Sequence, residues 1–125
     1  MLDTHTLLWW FTDSVELSAR ARALILDEAN EMWVSVASAW EISTKSRIGK
    51  LPHVPDVVRD YASLVSRNGF RALDITPTQA LHAGSIAHAH KDPFDRMIAT
   101  QSILEKTPVI TRDPQIAALG ASTVW

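Results

Sequence analysis

The sequence predicts an α/β fold, a three-layer α/β/α sandwich around a short, mostly parallel five-stranded sheet. Three observations predict it. Extended and helical patterns alternate along the chain without repeats, linkers or low-complexity stretches. Short apolar runs such as Met32-Trp33-Val34-Ser35 and Pro108-Val109-Ile110-Thr111 are each followed by helix-opening residues. Acidic residues stand where strands give way to helices or where helices open: Asp3, Glu41, Asp95 and Asp113. In a parallel sheet those positions share one edge, where ligands of open α/β sheets bind.

The elements follow in order. Met1-Leu2 reads as a first strand and His5 to Phe11 as a short helix. Leu17-Ser18 opens a helix through Glu28, with Ser18 as N-cap and Ala19, Ala23, Leu24, Leu26 and Ala29 as its apolar positions. Met32 to Ser35 is a buried strand. Ser38 to Ile48 is helical and stops at Gly49 and the loop of Pro52 and Pro55. Asp56 to Asn68 carries Val57, Tyr61, Leu64 and Val65 on one stripe and ends at Gly69, before a strand from Phe70 to Ile75. Thr76-Pro77 caps a helix through His88, and Asp92-Pro93 opens the next, which runs to Lys106. Its Phe94, Met97, Ile98, Ala99, Ile103 and Leu104 spread around the circumference, so more than one side needs cover. Val109 to Thr111 and Ser122 to Trp125 complete the sheet, with a short helix after Asp113-Pro114 between them.

Composition bounds the function classes. A chain of 125 residues suits one domain, here residues 1–125, with a single core. The longest apolar run, Leu7 to Phe11, is far below the ~18 residues a membrane span needs, so no membrane association is expected. No charged leader precedes it, and secretion is not expected. The absence of cysteine excludes disulfides, thiolate zinc sites and cysteine nucleophiles, and fits a reducing cytoplasm. The formal charge is −2, yet 12 bases outnumber by two the ten acids that remain when the four candidate site acids are set aside. Six bases flank those acids: Lys45, Arg47 and Lys50, Lys91 and Arg96, and Arg112. Such a rim suits phosphates held beside a cation; exposed Lys and Arg on solvated helix faces are the plainer reading.

Each acid also has a structural alternative. Asp3, Asp92 and Asp113 can serve as N-caps, and Asp92 with Asp95 fits an N-cap followed by a third-position acid. Glu41 can pair with Lys45 one helical turn on, worth about 0.2–0.5 kcal/mol on an exposed surface. Glu41 shares a partly inward stripe with Ala37 and Ile48, however, where an unpaired carboxylate is costly. Carboxylates brought within ~4 Å repel by roughly 4 kcal/mol per pair at an effective dielectric of 20, which calls for a cation or partial protonation. Oxygen ligands without Cys suit the hard ions Mg²⁺ or Mn²⁺, whose chemistry includes assisting attack on a phosphodiester. His82, His88 and His90 read as surface or capping residues rather than zinc ligands. No Gly-rich phosphate loop and no GxSxG elbow is present.

Four segments together carry a resemblance. Leu2-Asp3-Thr4-His5 with Leu7-Leu8-Trp9-Trp10, Val34-Ser35 leading to Ser38-Ala39-Trp40-Glu41-Ile42, His90-Lys91-Asp92-Pro93-Phe94-Asp95-Arg96, and Thr111-Arg112-Asp113 resemble the PIN-domain ribonucleases, and within them the VapC-type toxins of toxin–antitoxin pairs. The resemblance implies a Rossmann-like sandwich, Mg²⁺-dependent endoribonuclease activity, a homodimer and neutralisation by a small antitoxin protein. By motif position it makes Asp3, Glu41, Asp95 and Asp113 the acidic site, with Asp92 accessory and Thr111 a polar support. The expectation is that Asp3 and Asp95 hold Mg²⁺, with Mn²⁺ as substitute, and that Glu41 and Asp113 complete the shell or orient water. Arg96, Arg112 and Lys45 are expected to approach RNA phosphate. The apolar run Leu7 to Phe11 exceeds what one helix face can bury, which points one of its tryptophans at an antitoxin or a second subunit. One departure stands out: only two residues precede Asp3, which predicts either a start further upstream or a frayed central strand. A receiver-type signalling domain wants adjacent acids after its first strand, and an aspartyl phosphatase wants Asp-x-Asp where His5 stands. A PIN-like module without activity is the remaining rival, against which the four acids argue.

Overall fold

β-branched and aromatic residues make most of the strands of this α/β fold, Arg71-Ala72-Leu73 being the exception, and each strand is very short. The computed structural model describes residues 1–51 and 54–125; Pro52, read above as part of a loop, lies outside them. β1 (Trp33–Ser35) pairs in parallel with β2 (Arg71–Leu73), Trp33 opposite Arg71 and Ser35 opposite Leu73. β3 (Val109–Ile110) pairs in parallel with β4 (Thr123–Val124). The expected first strand contracts to one residue: Leu2 forms isolated parallel bridges to Val34 on one side and to Ile110 on the other, and so joins the two ladders. Its amide donates to the Trp33 carbonyl (2.8 Å), and the Ile110 amide donates to the Met1 carbonyl (2.8 Å). The central strand of this chain is thus a single bridged residue. All recorded pairings are parallel, where mostly parallel was expected.

The helices are α1 (Thr4–Phe11), α2 (Ala19–Leu26), α3 (Val36–Arg47), α4 (Pro55–Arg67), α5 (Pro77–Ser85), α6 (Pro93–Leu104) and α7 (Pro114–Ala118). Ser18 caps α2 as expected, accepting from the Ala21 amide (3.0 Å). Thr76 and Gln79 form a reciprocal capping box on α5. Gly49, at φ +75 after α3, takes a left-handed conformation that suits glycine at a helix end.

Several boundaries differ from expectation, each for a local reason. α3 starts two residues before Ser38 because Ser35 is its cap, accepting from the Ala37 amide (3.0 Å). α2 stops at Leu26 because Asp27 turns extended and accepts from the Ala29 amide (3.0 Å). α4 begins at Pro55 rather than Asp56. α6 ends at Leu104, where the Ser102 hydroxyl donates to the Thr107 carbonyl (2.7 Å) and Lys106 adopts φ +51. α5 ends at Ser85 rather than His88, for a reason that belongs to Arg96 and is given below.

The pleat sorts the core into two layers, since successive strand residues point to opposite faces. Leu2, Val34 and Ile110 join Leu7, Leu8, Ala21, Ile25, Ile42, Val57 and Val65 from α1 to α4 on one side. Met1 and Val109 join Ile98 and Ala99 from α6, Ile116 from α7 and Leu119 just after it on the other, with Trp33 and Leu73 against them. Helices thus cover both faces. Helices α3, α5 and α7 flank α6, which supplies the cover its circumference demanded and leaves Ile103 and Leu104 at the surface. Along α1, Leu7 and Leu8 are buried while Trp9, Trp10 and Phe11 are half-buried. Trp10 Nε1 donates to Asn68 Oδ1 (2.8 Å), and Phe11 packs on Phe70 and Tyr61. Much of the excess apolar area on α1 is therefore taken up within the chain. No helix of the described residues is long and apolar enough to cross a membrane.

Candidate active site

The carboxyl ends of the parallel strands deliver the acids. Leu2, fixed between both ladders, places Asp3 at the start of α1; β1 leads through Ser35 into α3 and Glu41; β3 leads through Thr111 to Asp113 at the start of α7. Asp95 sits in the first turn of α6. These four positions are far apart in sequence, yet the charge on Glu41 is felt by both Asp3 and Asp95, and Asp95 also lies in the fields of Asp92 and Asp113. The expected acids share one neighbourhood.

Asp3 is 4% exposed, and each of its carboxylate oxygens has a partner. Oδ1 accepts from the His5 amide (2.7 Å), which is the N-cap of α1, and Oδ2 accepts from the Thr111 hydroxyl (2.5 Å). The capping alternative for Asp3 is therefore the one seen directly. Thr111 in turn accepts from the Asp113 amide (2.9 Å), so its hydroxyl ties the end of β3 to the end of the central bridge. Burial pushes the Asp3 carboxyl above the usual range, against the lowering effect of Thr111 and the His5 amide, while Glu41 adds to the rise.

Glu41 is 2% exposed. Oε1 pairs with the Lys45 ammonium one turn further along α3, as the helical spacing suggested, but in a buried rather than exposed setting. Oε2 is buried and accepts no hydrogen bond among the described residues. An unsatisfied buried carboxylate oxygen is expensive and calls for a reason. Burial alone would lower the Lys45 pKa; the bond to Glu41, with the charges of Glu41, Asp92 and Asp95, raises it instead. Lys45 is thus committed to the carboxylates rather than to a phosphate rim.

Asp92 caps α6, Oδ1 accepting from the Phe94 (2.9 Å) and Asp95 (3.3 Å) amides, with Pro93 at the first helical position. Asp95 Oδ2 instead lies 2.7 Å from His90 Nε2. The Asp95 carboxyl is pushed up to about 6, chiefly by burial, with Asp92, Glu41 and Asp113 adding and His90 opposing. Asp113 caps α7 through the Gln115 amide (2.8 Å). An open cleft of about 340 Å³ is lined by Asp3, His5, Trp9, Arg112, Asp113 and Pro114.

The basic rim is rearranged relative to expectation. Arg96 donates from all three of its side-chain nitrogens to backbone carbonyls, those of Ala83 (2.8 Å), Gly84 (3.3 Å), Ile86 (2.5 Å), His88 (3.3 Å) and His90 (2.9 Å). This clasp draws the end of α5 and the loop to His90 around the guanidinium, which ends α5 early and presents His90 to Asp95. Arg96 is accordingly a positioning residue here, not a phosphate contact. Arg112 pairs with Glu16 (2.7 Å) and lies over the Trp9 ring, 4.4 Å from its centroid. Neither His90 nor the Arg96 clasp was legible in the sequence, because a histidine in a polar loop carries no spacing signal for its partner.

Among the described residues no group of three or more His, Cys, Asp or Glu side chains is already gathered to hold a metal ion. The carboxylates are held by Lys45, His90, Thr111 and backbone amides instead. Their chemistry nevertheless fits a hard divalent cation: all donors are oxygens, three of the carboxyls are wholly or largely buried, and Glu41 Oε2 is unpartnered.

The raised Asp95 pKa predicts a distinctive pH profile of stability. An acid whose folded pKa (about 6) exceeds its usual value (3.8) binds more protons in the native state between those limits, so stability falls as pH rises through that window. The N-terminal ammonium, lowered to about 6 by burial, works above that window and in the other direction. The difference in melting temperature between wild type and Asp95→Asn isolates the carboxyl. In chelator, wild type should lose ground to the variant from pH 4.5 to pH 6.5; a constant difference would show that the carboxyl titrates normally.

The sequence model of the PIN domain family matches residues 1–121. The match goes with a nuclease-type, Rossmann-like α/β fold. The chain belongs to the PIN domain family, whose members are generally nucleases that typically use divalent metals. That membership removes the receiver-type reading. No curated protein sequence matches the chain.

Proposed function

We propose that this chain is a Mg²⁺-dependent endoribonuclease, with Mn²⁺ able to substitute, and that it is the toxin of a toxin–antitoxin pair. The observation that carries the nuclease reading is Glu41 Oε2, a buried carboxylate oxygen without a partner among the described residues, in a neighbourhood shared with two further carboxyls whose pKa values burial raises. Such a set is costly in the absence of a cation, and function accounts for that cost. Asp3 and Asp95 would hold the ion, and Glu41 and Asp113 would complete its shell or orient the attacking water. When bound, the ion supplies Lewis-acid stabilisation of charge developing on a phosphodiester and acidifies water for attack. The chain's own residues do the positioning. Thr111 fixes Asp3 and, through the Asp113 amide, the entry to α7. His90, presented by the Arg96 clasp, fixes Asp95, and Asp92 sets the start of α6 so that Asp95 falls in its first turn. Lys45 offsets part of the carboxylate charge.

The partner assignments rest on the motif resemblance together with exposed apolar surface. Trp40 is 60% exposed, meets Phe94 edge to face at 4.9 Å, and borders a shallow apolar groove with Ala80, Ala83 and Met97. This surface suits a second copy of the chain, and a small antitoxin protein is the other partner proposed; a cytoplasmic setting goes with that role. The rival reading is a PIN-like binding module without activity. Incubating the purified chain with assorted RNAs, with Mg²⁺ and with chelator, separates the two: cleavage in Mg²⁺ that chelator stops is expected, and intact RNA under both conditions would leave the binding module.

A further inference from the structure

The wall of the carboxylate cleft carries a cluster of aromatic rings and a guanidinium that metal chemistry does not use. The Arg112 guanidinium lies over the Trp9 ring at 4.4 Å, Trp125 supports Trp9 from another direction at 5.7 Å and 63°, and the His5 ring stands 5.9 Å from Trp9. His5, Trp9 and Arg112 line the same cleft as Asp3 and Asp113. Arg112 is also pinned by Glu16, whose carboxylate takes Nη1 at 2.7 Å, while half of the Arg112 side chain stays accessible.

These contacts decide what Arg112 can offer. A guanidinium that grips phosphate uses its edge and its full charge, and here the edge is partly occupied and the charge partly neutralised by Glu16. What remains is the exposed part of the guanidinium, close to the Trp9 ring. Nucleobases stack on guanidinium and aromatic planes when they are unpaired and splayed out, and each such stack is sequence-tolerant. We infer that Arg112, backed by Trp9 and bordered by His5, is a stacking seat for an unpaired RNA base beside the carboxylates. The inference rests on the nuclease reading above for the identity of the polymer. A paired base, stacked within its own duplex, cannot reach the seat.

Arg112→Lys tests this, because it keeps the charge and the pairing with Glu16 and removes the plane. Fluorescence anisotropy in EDTA, where no cleavage occurs, gives Kd for a labelled mixed-sequence octaribonucleotide and for the same strand annealed to its complement, using wild type, Arg112→Lys and Arg112→Ala with melting curves as folding controls. The expected result is that both variants lose about tenfold in affinity for the single strand, in the range of one base stack, and that wild type binds the duplex at least about tenfold more weakly. Wild-type affinity in Arg112→Lys, equal binding of duplex and single strand, or no single-strand binding by wild type would each overturn the stacking seat; if a protein partner occupies the wall instead, the last of these is the result. The companion cleavage assay in Mg²⁺ separates the two claims. Loss of binding in Arg112→Lys with no cleavage by wild type would sink the nuclease reading and leave the seat standing, whereas cleavage by wild type with binding indifferent to Arg112→Lys would do the reverse.

Discussion

Asp95→Asn should abolish Mg²⁺-dependent RNA cleavage, by at least about a hundredfold, and leave the protein as stable as wild type or more so near neutral pH. The substitution keeps the shape of the side chain and a polar atom for His90, 2.7 Å away, but removes a charge that burial and the fields of Asp92, Glu41 and Asp113 all disfavour. Relief of that repulsion is a gain in folding and a loss for any bound cation. The neighbouring Asp92→Asn should behave differently. Asp92 accepts from two backbone amides as the cap of α6, and Asn is about as good a cap as Asp, so much of the activity should survive. Paired cleavage assays and thermal melts decide between them. Should Asp92→Asn be inactive and Asp95→Asn active, the roles assigned to the two acids are reversed.

Mg²⁺ or Mn²⁺ should raise the melting temperature substantially. An ion that binds only the folded chain, present at 100 times its dissociation constant, adds about 2.7 kcal/mol. At this chain length each kcal/mol moves the midpoint by roughly 3–4 °C, which gives a shift of about 10 °C. The shift should shrink on acidification below about pH 6, since the cation competes with the proton on Asp95, and Asp3→Asn should remove most of it. Calorimetry with millimolar Mn²⁺ is the measurement; an unchanged midpoint in wild type, with Asp3→Asn equally indifferent, would remove the metal site from the mechanism.

Order and type of the elements were largely legible because their signals are local. Ser18, Thr76 and Asp92 announce helices through side chains that reach only their own next turn, and the short apolar runs before Ser35 and Thr111 fall where strands form. The positions of Asp3 and Asp113 were legible for a topological reason: in a parallel sheet the carboxyl ends of the strands face the same edge. What the sequence withheld depends on contacts between distant segments. The contraction of the central strand to Leu2, the burial that turns the Glu41–Lys45 pair from a surface feature into part of the site, and the grip of Arg96 on five carbonyls all need the assembled chain. Arg112 shows the same limit. Its position predicted a cation beside Asp113, but its orientation is set by Glu16 and by Trp9, from segments about a hundred residues earlier.

The single-residue bridge at Leu2 ties the placement of Asp3 to two closures, one to Val34 and one, the longest in the sheet, to Ile110. Contacts so far apart in sequence carry a large loop-closure cost and form late relative to local helices. Asp3 also needs Thr111, which arrives with the last third of the chain. During synthesis, then, every emerging intermediate lacking residues 109–111 has an incomplete carboxylate edge, however well its helices have formed. The order of the chain itself works as a delay: the carboxylate edge cannot be completed before residues 109–111 have been made.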